Sequence, residues 1–240
     1  MDNNPVLVIG ATGRIGRQVV QQLLGHGYPV RAIVRDAEKL KSLVGKHDNL
    51  SVCQGSVLDL SEEVFTEEVE GSRAVVSCLG HVISFQGMYG QPRYLCRDTV
   101  KKTFETIEKL GAPSKFILVN TVGVLNPAGD SKRGFLSRLA VSIIEFLIPP
   151  ARDNKAAAWY LSKDVGTDSA MKWVSVRPCG LLEEEMSDYD VHECSFPGAL
   201  FNATVSIPNV AHFMCELITN EQKWKEWEGK MPIVVNKDGY

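Results

Sequence analysis

Continuous apolar runs of strand length alternate along the chain with segments of helical periodicity. Residues 5–10 form the first run, which is typical of a parallel strand buried on both faces. Residues 13–25 then repeat apolar positions at helical spacing. The same patterns predict further strands over residues 30–34, 50–54, 74–79, 115–120, 173–176 and 231–235, and further helices over residues 36–44, 99–110, 135–148, 154–162 and 210–218.

This alternation predicts the fold class. Strands that alternate with helices form a parallel sheet with helices on both faces, and right-handed crossovers then give a doubly wound α/β topology. No internal repeat or long linker divides the 240 residues. We therefore expect one domain over residues 1–240.

Composition and charge narrow the function classes. The chain has 26 basic and 29 acidic residues, a net charge of −3, and 44% hydrophobic residues. These values argue against a disordered chain and against a polybasic nucleic-acid binder. The longest apolar stretch, residues 135–148, contains polar residues and is too short to cross a bilayer, so we expect no integral membrane segment.

The cysteines and the first residues indicate the compartment. Six cysteines are scattered without a CxxC pair. Such spacing indicates reduced thiols and no metal site, and it favours a cytoplasmic location. The polar, acidic start of the sequence is unlike a signal or transit peptide.

The most informative motif is the glycine-rich loop GATGRIG, at the first strand-to-helix turn. Glycines there allow a tight turn, close approach of a diphosphate and close helix–strand packing, while the helix N-terminus offers N–H groups and a positive dipole. An ordinary tight turn would also use glycines, but the setting favours dinucleotide binding in a Rossmann-type domain. The predicted contacts are Gly10, Thr12, Gly13, Arg14, Ile15 and Gly16.

The end of the second predicted strand bears on the choice of coenzyme. An acidic residue there binds the ribose 2′-hydroxyl of NAD, whereas an arginine suits the 2′-phosphate of NADP. This chain has Arg35 at that position, and Arg14 can approach from the glycine loop. A solvated Arg35 paired with Asp36 is the alternative interpretation. We expect NADP(H) as the cofactor.

Four segments together resemble a known family: the glycine loop, the strand end Val34-Arg35-Asp36, the VSCLG segment at 76–80 and the strand end Val176-Arg177-Pro178. They resemble the atypical short-chain dehydrogenase/reductases, most closely the NmrA-like branch with its biliverdin-IXβ, flavin and quinone reductases. The resemblance implies that residues 1–150 mainly bind the cofactor and that residues 151–240 contribute a small substrate lobe.

The resemblance also implies further cofactor contacts, each of which could instead be ordinary turn chemistry. Ser56 and Val57 follow the third strand on the adenine side, although Ser56 stands where the family commonly has aspartate. Leu79 and Gly80 follow the fourth strand beside a ribose. The contacts expected at the nicotinamide end are Pro178, Cys179 and Gly180.

The catalytic residues of the family are only partly present. The family usually carries Tyr-x-x-x-Lys and a Ser or Thr after the fifth strand. Thr121 occupies the hydroxyl position and Lys155 the lysine position, but Ala151 stands where the tyrosine is expected. Thr121 could instead satisfy backbone groups, and Lys155 could be a solvated surface charge.

A missing tyrosine favours certain acceptors. Reduction of an isolated ketone creates an alkoxide that needs a proton donor, whereas a flavin, quinone or tetrapyrrole gives a delocalised anion that solvent can protonate. His81 is a candidate substitute donor, although a histidine there could simply cap a turn. We expect a reductase of a small conjugated molecule. The alternatives are a non-catalytic NADP(H)-binding redox sensor and, less favoured, an epimerase.

The substrate side is defined only in outline. Residues 82–94 are rich in glycine and aromatic residues and suit a pocket wall. The predicted helix at 135–148 is apolar over more than one face and could roof the pocket, form a dimer contact or lie on a membrane surface. The sequence leaves a monomer and a homodimer equally open.

Overall fold

The protein is described by a computed structural model that covers residues 4–80, 90–112, 114–127, 129–130 and 148–240. Its strands are β1 (Val6–Ile9), β2 (Val30–Val34), β3 (Leu50–Gln54), β4 (Ala74–Ser77), β5 (Ser114–Val119), β6 (Met171–Pro178), β7 (Gly180–Leu182), β8 (Tyr189–His192), β9 (Thr204–Ser206) and β10 (Ile233–Asn236). Its helices are α1 (Arg14–Gly25), α2 (Ala37–Val44), α3 (Glu62–Val69), α4 (Leu95–Leu110), α5 (Pro149–Tyr160), α6 (Ile207–Thr219) and α7 (Glu221–Trp227).

The main sheet has eight strands in the order β3-β2-β1-β4-β5-β6-β10-β8. The chain moves outward from β1 to one side and then, from β4, to the other, which is the doubly wound topology that the sequence predicts. Only the edge strand β8 departs from the predicted parallel pattern, because it pairs antiparallel with β10. Strands β7 and β9 form a separate small parallel pair.

Two hydrophobic cores cover the two faces of the sheet. Val6 and Val8 contribute to one core, and the alternate residues Leu7 and Ile9 contribute to the other. This alternation explains why β1 is apolar at every position, since both of its faces are buried. The sheet therefore provides a rigid frame whose carboxyl edge carries the loops discussed below.

The prolines at 149 and 150 change where one predicted helix begins. They occupy the first positions of α5, where a missing N–H is harmless because no helical partner exists for it. The helix predicted over residues 135–148, which precedes them, lies mostly outside the described residues. Helix α5 thus begins before the predicted residue 154 and is followed by a π-helical turn at Leu161–Val165.

Other elements differ from prediction where the apolar periodicity is weak. Helix α3 was not predicted, because it is rich in glutamate and buries only Phe65 and Val69. Strands β7, β8 and β9 are only three or four residues long and also escaped prediction. Strand β4 ends at Ser77, so the predicted extension to residue 79 is wrong and Leu79 lies in a loop.

Candidate functional site

The loops that carry the predicted site residues all leave the carboxyl edge of the parallel strands. The glycine loop lies between β1 and α1. Strand β1 has β2 on one side and β4 on the other, and the chain reaches β4 only after β2 and β3. This reversal of strand order opens a crevice between the loops after β1 and β4, which is where ligands bind in doubly wound sheets. The crevice is the candidate cofactor site.

Gly10 and Gly16 meet steric demands that no other residue would satisfy. Gly10 has a φ of +83°, and a Cβ there would lie 2.9 Å from the backbone of Cys78. A Cβ on Gly16 would lie 2.3 Å from the carbonyl oxygen of Gly10. The loop therefore packs backbone against backbone, both within itself and against the segment after β4, which fits the cradle that a dinucleotide requires.

The N-terminus of α1 is available to an anion. Gly13 precedes the helix, and no side chain caps its first turn, which also contains no acidic residue. By contrast, the side chains of Asp36 and Ser61 accept hydrogen bonds from backbone N–H groups in the first turns of α2 and α3. The amides of the first turn of α1 and the helix dipole thus remain directed toward the crevice, as diphosphate binding needs.

The segments that carry Arg35 and Ser56 adjoin each other at the side of the crevice predicted to bind adenine. The backbone N–H of Gly55 donates to the carbonyl of Val34 at 2.8 Å, so the loop after β3 adjoins the end of β2. Arg35 is exposed and has no ion-pair or hydrogen-bond partner in the described segments. Asp36, the alternative partner, instead accepts from the amide of Lys39 at 2.9 Å. Val57, which follows Ser56, is buried.

Arg14 forms an exposed ion pair in the first turn of α1. Its Nε lies 2.6 Å from Oε1 of Glu183, and Arg17 contacts the same carboxylate at 3.5 Å. Glu183 directly follows β7, so this ion pair joins the first turn of α1 to the segment after the strand. An exposed pair of this kind contributes at most about 1 kcal/mol, so the approach of Arg14 to a 2′-phosphate stays a prediction.

Leu79 lies against the glycine loop. The backbone nitrogen of Leu79 would be 3.1 Å from a Cβ on Gly10. The thiol of Cys96, at the start of α4, contacts the carbonyl of Leu79 at 3.6 Å. The segment predicted to face a ribose is thereby in contact with both the glycine loop and α4. A Cβ built on Gly80 would meet nothing within 4 Å.

A hydrogen bond joins the end of β5 to α5 beside Thr121 and Lys155. Asn120, directly after β5, donates from its side chain to the backbone carbonyl of Asn154 at 3.0 Å. Thr121 and Lys155 each follow one of these two residues in the sequence. The Thr121 hydroxyl accepts from the amide of Gly123 at 3.2 Å, the backbone role considered from the sequence, and its own proton is still available for a ligand.

Pro178, Cys179 and Gly180 complete this end of the crevice. The amide of Val122 donates to the carbonyl of Pro178 at 3.1 Å, which joins the loop after β5 to the end of β6. Burial raises the pKa of the Cys179 thiol to about 11, so it is a neutral thiol at pH 7. Cys179 therefore packs and positions the loop instead of acting as a nucleophile.

Two buried acids support the site, and both escaped the sequence analysis. Asp153 on α5 is fully buried and accepts from the amides of Cys96 at 2.7 Å and Arg97 at 3.0 Å. It caps α4 and fixes the position of the helix that carries Lys155. Asp130 forms an ion pair with Arg177, and both side chains are inaccessible to solvent. Each acid is far along the sequence from the residues that it contacts, so no sequence pattern indicated either contact.

Some predictions concern residues outside the described part of the chain. His81, the candidate substitute proton donor, lies there, as do most of the predicted pocket wall at 82–94 and most of the helix at 135–148. Within the described ranges, no helix has the length and apolar character needed to cross a membrane. Those ranges also contain no group of three His, Cys, Asp or Glu residues placed to hold a metal ion.

Known proteins with similar sequences and folds were compared with the chain. A family model described as NAD(P)H-binding matches residues 10–221. An uncharacterized chloroplastic protein of Arabidopsis thaliana is 26% identical over 225 residues, covering 90% of this chain and 72% of that protein. Aldehyde reductase 2 of Sporidiobolus salmonicolor is 26% identical over 229 residues, covering 90% of this chain but only 64% of its own length.

A solved structure agrees with these sequence matches at the level of the fold. The reductase ChuY of Escherichia coli O157:H7, described as an anaerobilin reductase, superposes with a TM-score of 0.67 at 20% identity and covers 98% of both chains. The family match includes the glycine loop, the ends of β2, β4, β5 and β6, and α5, which together form the crevice. The chain belongs to the NAD(P)H-binding family, and its fold is of the Rossmann type.

Proposed function

We propose that the protein is an NADP(H)-dependent oxidoreductase that transfers hydride to a small conjugated acceptor such as a flavin or quinone. In the net reaction, NADPH and a proton reduce the acceptor by two electrons, and NADP⁺ is released. The nicotinamide supplies the hydride when it is bound. The residues of the chain hold the coenzyme and orient the acceptor. Residues 1–150 would mainly serve the coenzyme, and residues 151–240 the acceptor.

The observation that carries this proposal is the side-chain set at the junction of β5 and α5. Thr121 and Lys155 retain the positions of a hydroxyl and a lysine, while Ala151, one helical turn before Lys155, has no ionisable group. A site with alanine in place of the family's tyrosine suits an acceptor whose reduced form is a delocalised anion, because that anion does not need a phenol as proton donor. The similarity to an anaerobilin reductase supports a conjugated acceptor. The similarity to an aldehyde reductase makes a simple carbonyl compound the control substrate.

A redox sensor that binds NADP(H) without turnover is the alternative function, and an acceptor panel separates the two. NADPH oxidation would be followed with FMN, menadione, biliverdin and the isolated aldehyde isovaleraldehyde. We expect turnover with at least one conjugated acceptor and little with isovaleraldehyde. Tight NADPH binding without oxidation by any acceptor would favour the sensor, and turnover of isovaleraldehyde alone would contradict the proposed acceptor class.

The coenzyme preference is assigned to Arg35. Replacement of Arg35 by alanine removes the guanidinium proposed to bind the 2′-phosphate, a charge-assisted contact of about 1.5–3 kcal/mol. We expect the Kd for NADPH to rise about tenfold or more, while the Kd for NADH changes less than about twofold. Equal losses for the two coenzymes in fluorescence titrations would refute the assignment.

The location is also a proposal. The cysteines are scattered along the sequence, and those that the structure describes form no disulfide, which supports a reducing compartment. We propose the cytoplasm, and fractionation followed by immunoblotting would test this. Recovery in a plastid fraction, the compartment named for the Arabidopsis relative, would contradict it.

A further inference from the structure

Three aromatic rings form a cluster beside the edge strand β8. The His192 ring centroid lies 4.8 Å from that of Phe196 and 5.9 Å from that of Tyr240, and Phe196 and Tyr240 are 5.5 Å apart. We call these three residues the aromatic cluster. Tyr240 is 59% exposed, so part of its ring is available to a ligand. Neither the crevice geometry nor the hydrogen bonding of the sheet requires these rings.

Backbone contacts place the cluster at the nicotinamide end of the crevice. Gly239, which precedes Tyr240, accepts from the amide of Thr204 at 2.8 Å. Thr204 is the register partner of Gly180 in the β7–β9 pair. Burial, a hydrogen bond to Asp190 and the charge of Asp190 raise the pKa of the Tyr240 phenol. The segment that ends in Tyr240 is therefore joined through Thr204 to the strand pair that begins at Gly180.

The polar end of Tyr240 is already engaged. Its hydroxyl donates to Oδ2 of Asp190 at 3.1 Å and lies 2.6 Å from Nε2 of His192. These contacts hold the ring in one orientation. They also leave the hydroxyl proton committed to Asp190, so the feature that Tyr240 offers to a ligand is the apolar ring.

The turn after Phe196 lies beside the loop that follows β5. A Cβ built on Gly123 would lie 3.9 Å from Cδ1 of Leu200, so this turn adjoins the loop that contains Thr121. Phe201, the next residue, is 68% exposed. The amide of Gly180 donates to the carbonyl of Ala203 at 2.9 Å, which fixes the far end of the turn. Exposed aromatic residues thus lie between the loops after β5 and β6.

We propose that the aromatic cluster and Phe201 form the wall of the acceptor site and bind the flat face of a conjugated acceptor. This inference rests on the proposed function. Aromatic rings attract planar π-systems in stacked or edge-to-face geometry beyond the area that they bury, and they are tolerant of the exact ring system. Exposed phenylalanine and tyrosine side chains at the nicotinamide end therefore select acceptors by flatness.

The test measures binding directly, so that it does not depend on turnover. The protein saturated with NADP⁺ would be titrated with FMN by flavin fluorescence and with biliverdin by absorbance. We expect Tyr240→Leu and Phe201→Leu each to raise the Kd for FMN about tenfold, whereas Tyr240→Phe, which keeps the ring, changes it less than about twofold. The Kd for NADPH should be unchanged in all variants.

A matched control is available at the opposite, amino edge of the sheet. Tyr28 lies shortly before β2, and the Arg73 guanidinium lies 5.4 Å from the centroid of its ring. Tyr28→Leu should leave FMN binding unchanged.

Weakened FMN binding in the two leucine variants, with Tyr28→Leu unaffected, supports the wall even if bound FMN is never reduced, a result that would reject only the proposed reaction. Unchanged binding in those variants, or no binding of either planar probe by the wild-type protein, overturns the wall. Turnover of a compact acceptor would then leave the oxidoreductase assignment standing.

Discussion

Replacement of Gly16 by alanine is expected to cause the largest loss of coenzyme binding from a single methyl group. The new Cβ would lie 2.3 Å from the carbonyl oxygen of Gly10, and both atoms belong to backbone, so the glycine loop itself must move. Forcing extra atoms into a packed site costs about 1–3 kcal/mol. We expect the Kd for NADPH to rise about ten- to a hundredfold, as measured by calorimetry.

Two other glycines of the same region provide a graded control. A Cβ on Gly13 would lie 3.2 Å from the Gly10 carbonyl, so Gly13→Ala should have a smaller effect. Gly25, at the other end of α1, has nothing within 4 Å, and alanine there should stabilise the helix by up to about 1 kcal/mol. If Gly16→Ala and Gly25→Ala bound NADPH equally well, the loop geometry would not determine binding.

Replacement of Asp130 by asparagine is expected to cause the largest loss of stability. The carboxylate pairs with Arg177 and accepts hydrogen bonds from the backbone amides of Asn126 at 2.7 Å and Ser195 at 2.6 Å. The side chains of Asp130 and Arg177 are both inaccessible to solvent. Arg177 also donates to the carbonyl of Met231 at 2.7 Å. Removing one partner of a buried pair typically costs 3–5 kcal/mol, because the other charge is left uncompensated.

The same ion pair predicts a pH dependence. Burial alone would raise the pKa of the Asp130 carboxyl, but hydrogen bonds from Arg177 and two backbone amides and the charge of Arg177 hold it below its ordinary value of 3.8. The unfolded chain therefore binds this proton more readily than the folded one. The stabilisation is fully present above the ordinary pKa and is lost as the pH falls through the lower folded pKa.

Denaturant unfolding would measure both effects. The difference in unfolding free energy between wild type and Asp130→Asn should be about 3–5 kcal/mol at pH 7 and should shrink below about pH 4. Asp188 pairs with Lys237 at 3.5 Å on the surface, so Asp188→Asn should cost less than about 1 kcal/mol. A similar small cost for both variants would contradict the structural role assigned to Asp130.

The geometry of the glycine loop could be predicted from the sequence because it depends on local chemistry. A glycine loop between a buried strand and an amphipathic helix predicts its own geometry, and Gly10 and Gly16 indeed need to be glycine. The parallel order of the strands follows from the same alternation. The binding roles of Thr121 and Lys155 stay predictions, because they come from the positions that β5 and α5 share with the family.

The end of the crevice proposed to bind the acceptor could not be predicted in detail, because it depends on contacts between distant segments. The pairing of Arg177 with Asp130 crosses 47 residues, and the contact of Tyr240 with His192 crosses 48. Neither pair leaves a periodic signal in the sequence. Strand β8, which carries His192, is only four residues long and runs antiparallel to β10, so it is not part of the alternation of strands and helices from which the other strands were predicted. Arg14 illustrates the same limit, since its partner Glu183 is 169 residues away.

Calorimetric titration of the wild-type protein with NADPH and NADH is the most direct test of the claim that the α1 N-terminus and Arg35 hold a phosphorylated dinucleotide. The account predicts saturable binding at one site per chain, with NADPH the tighter ligand. Absence of binding heat with both coenzymes at several temperatures, on protein shown to be folded by its thermal unfolding transition, would contradict it.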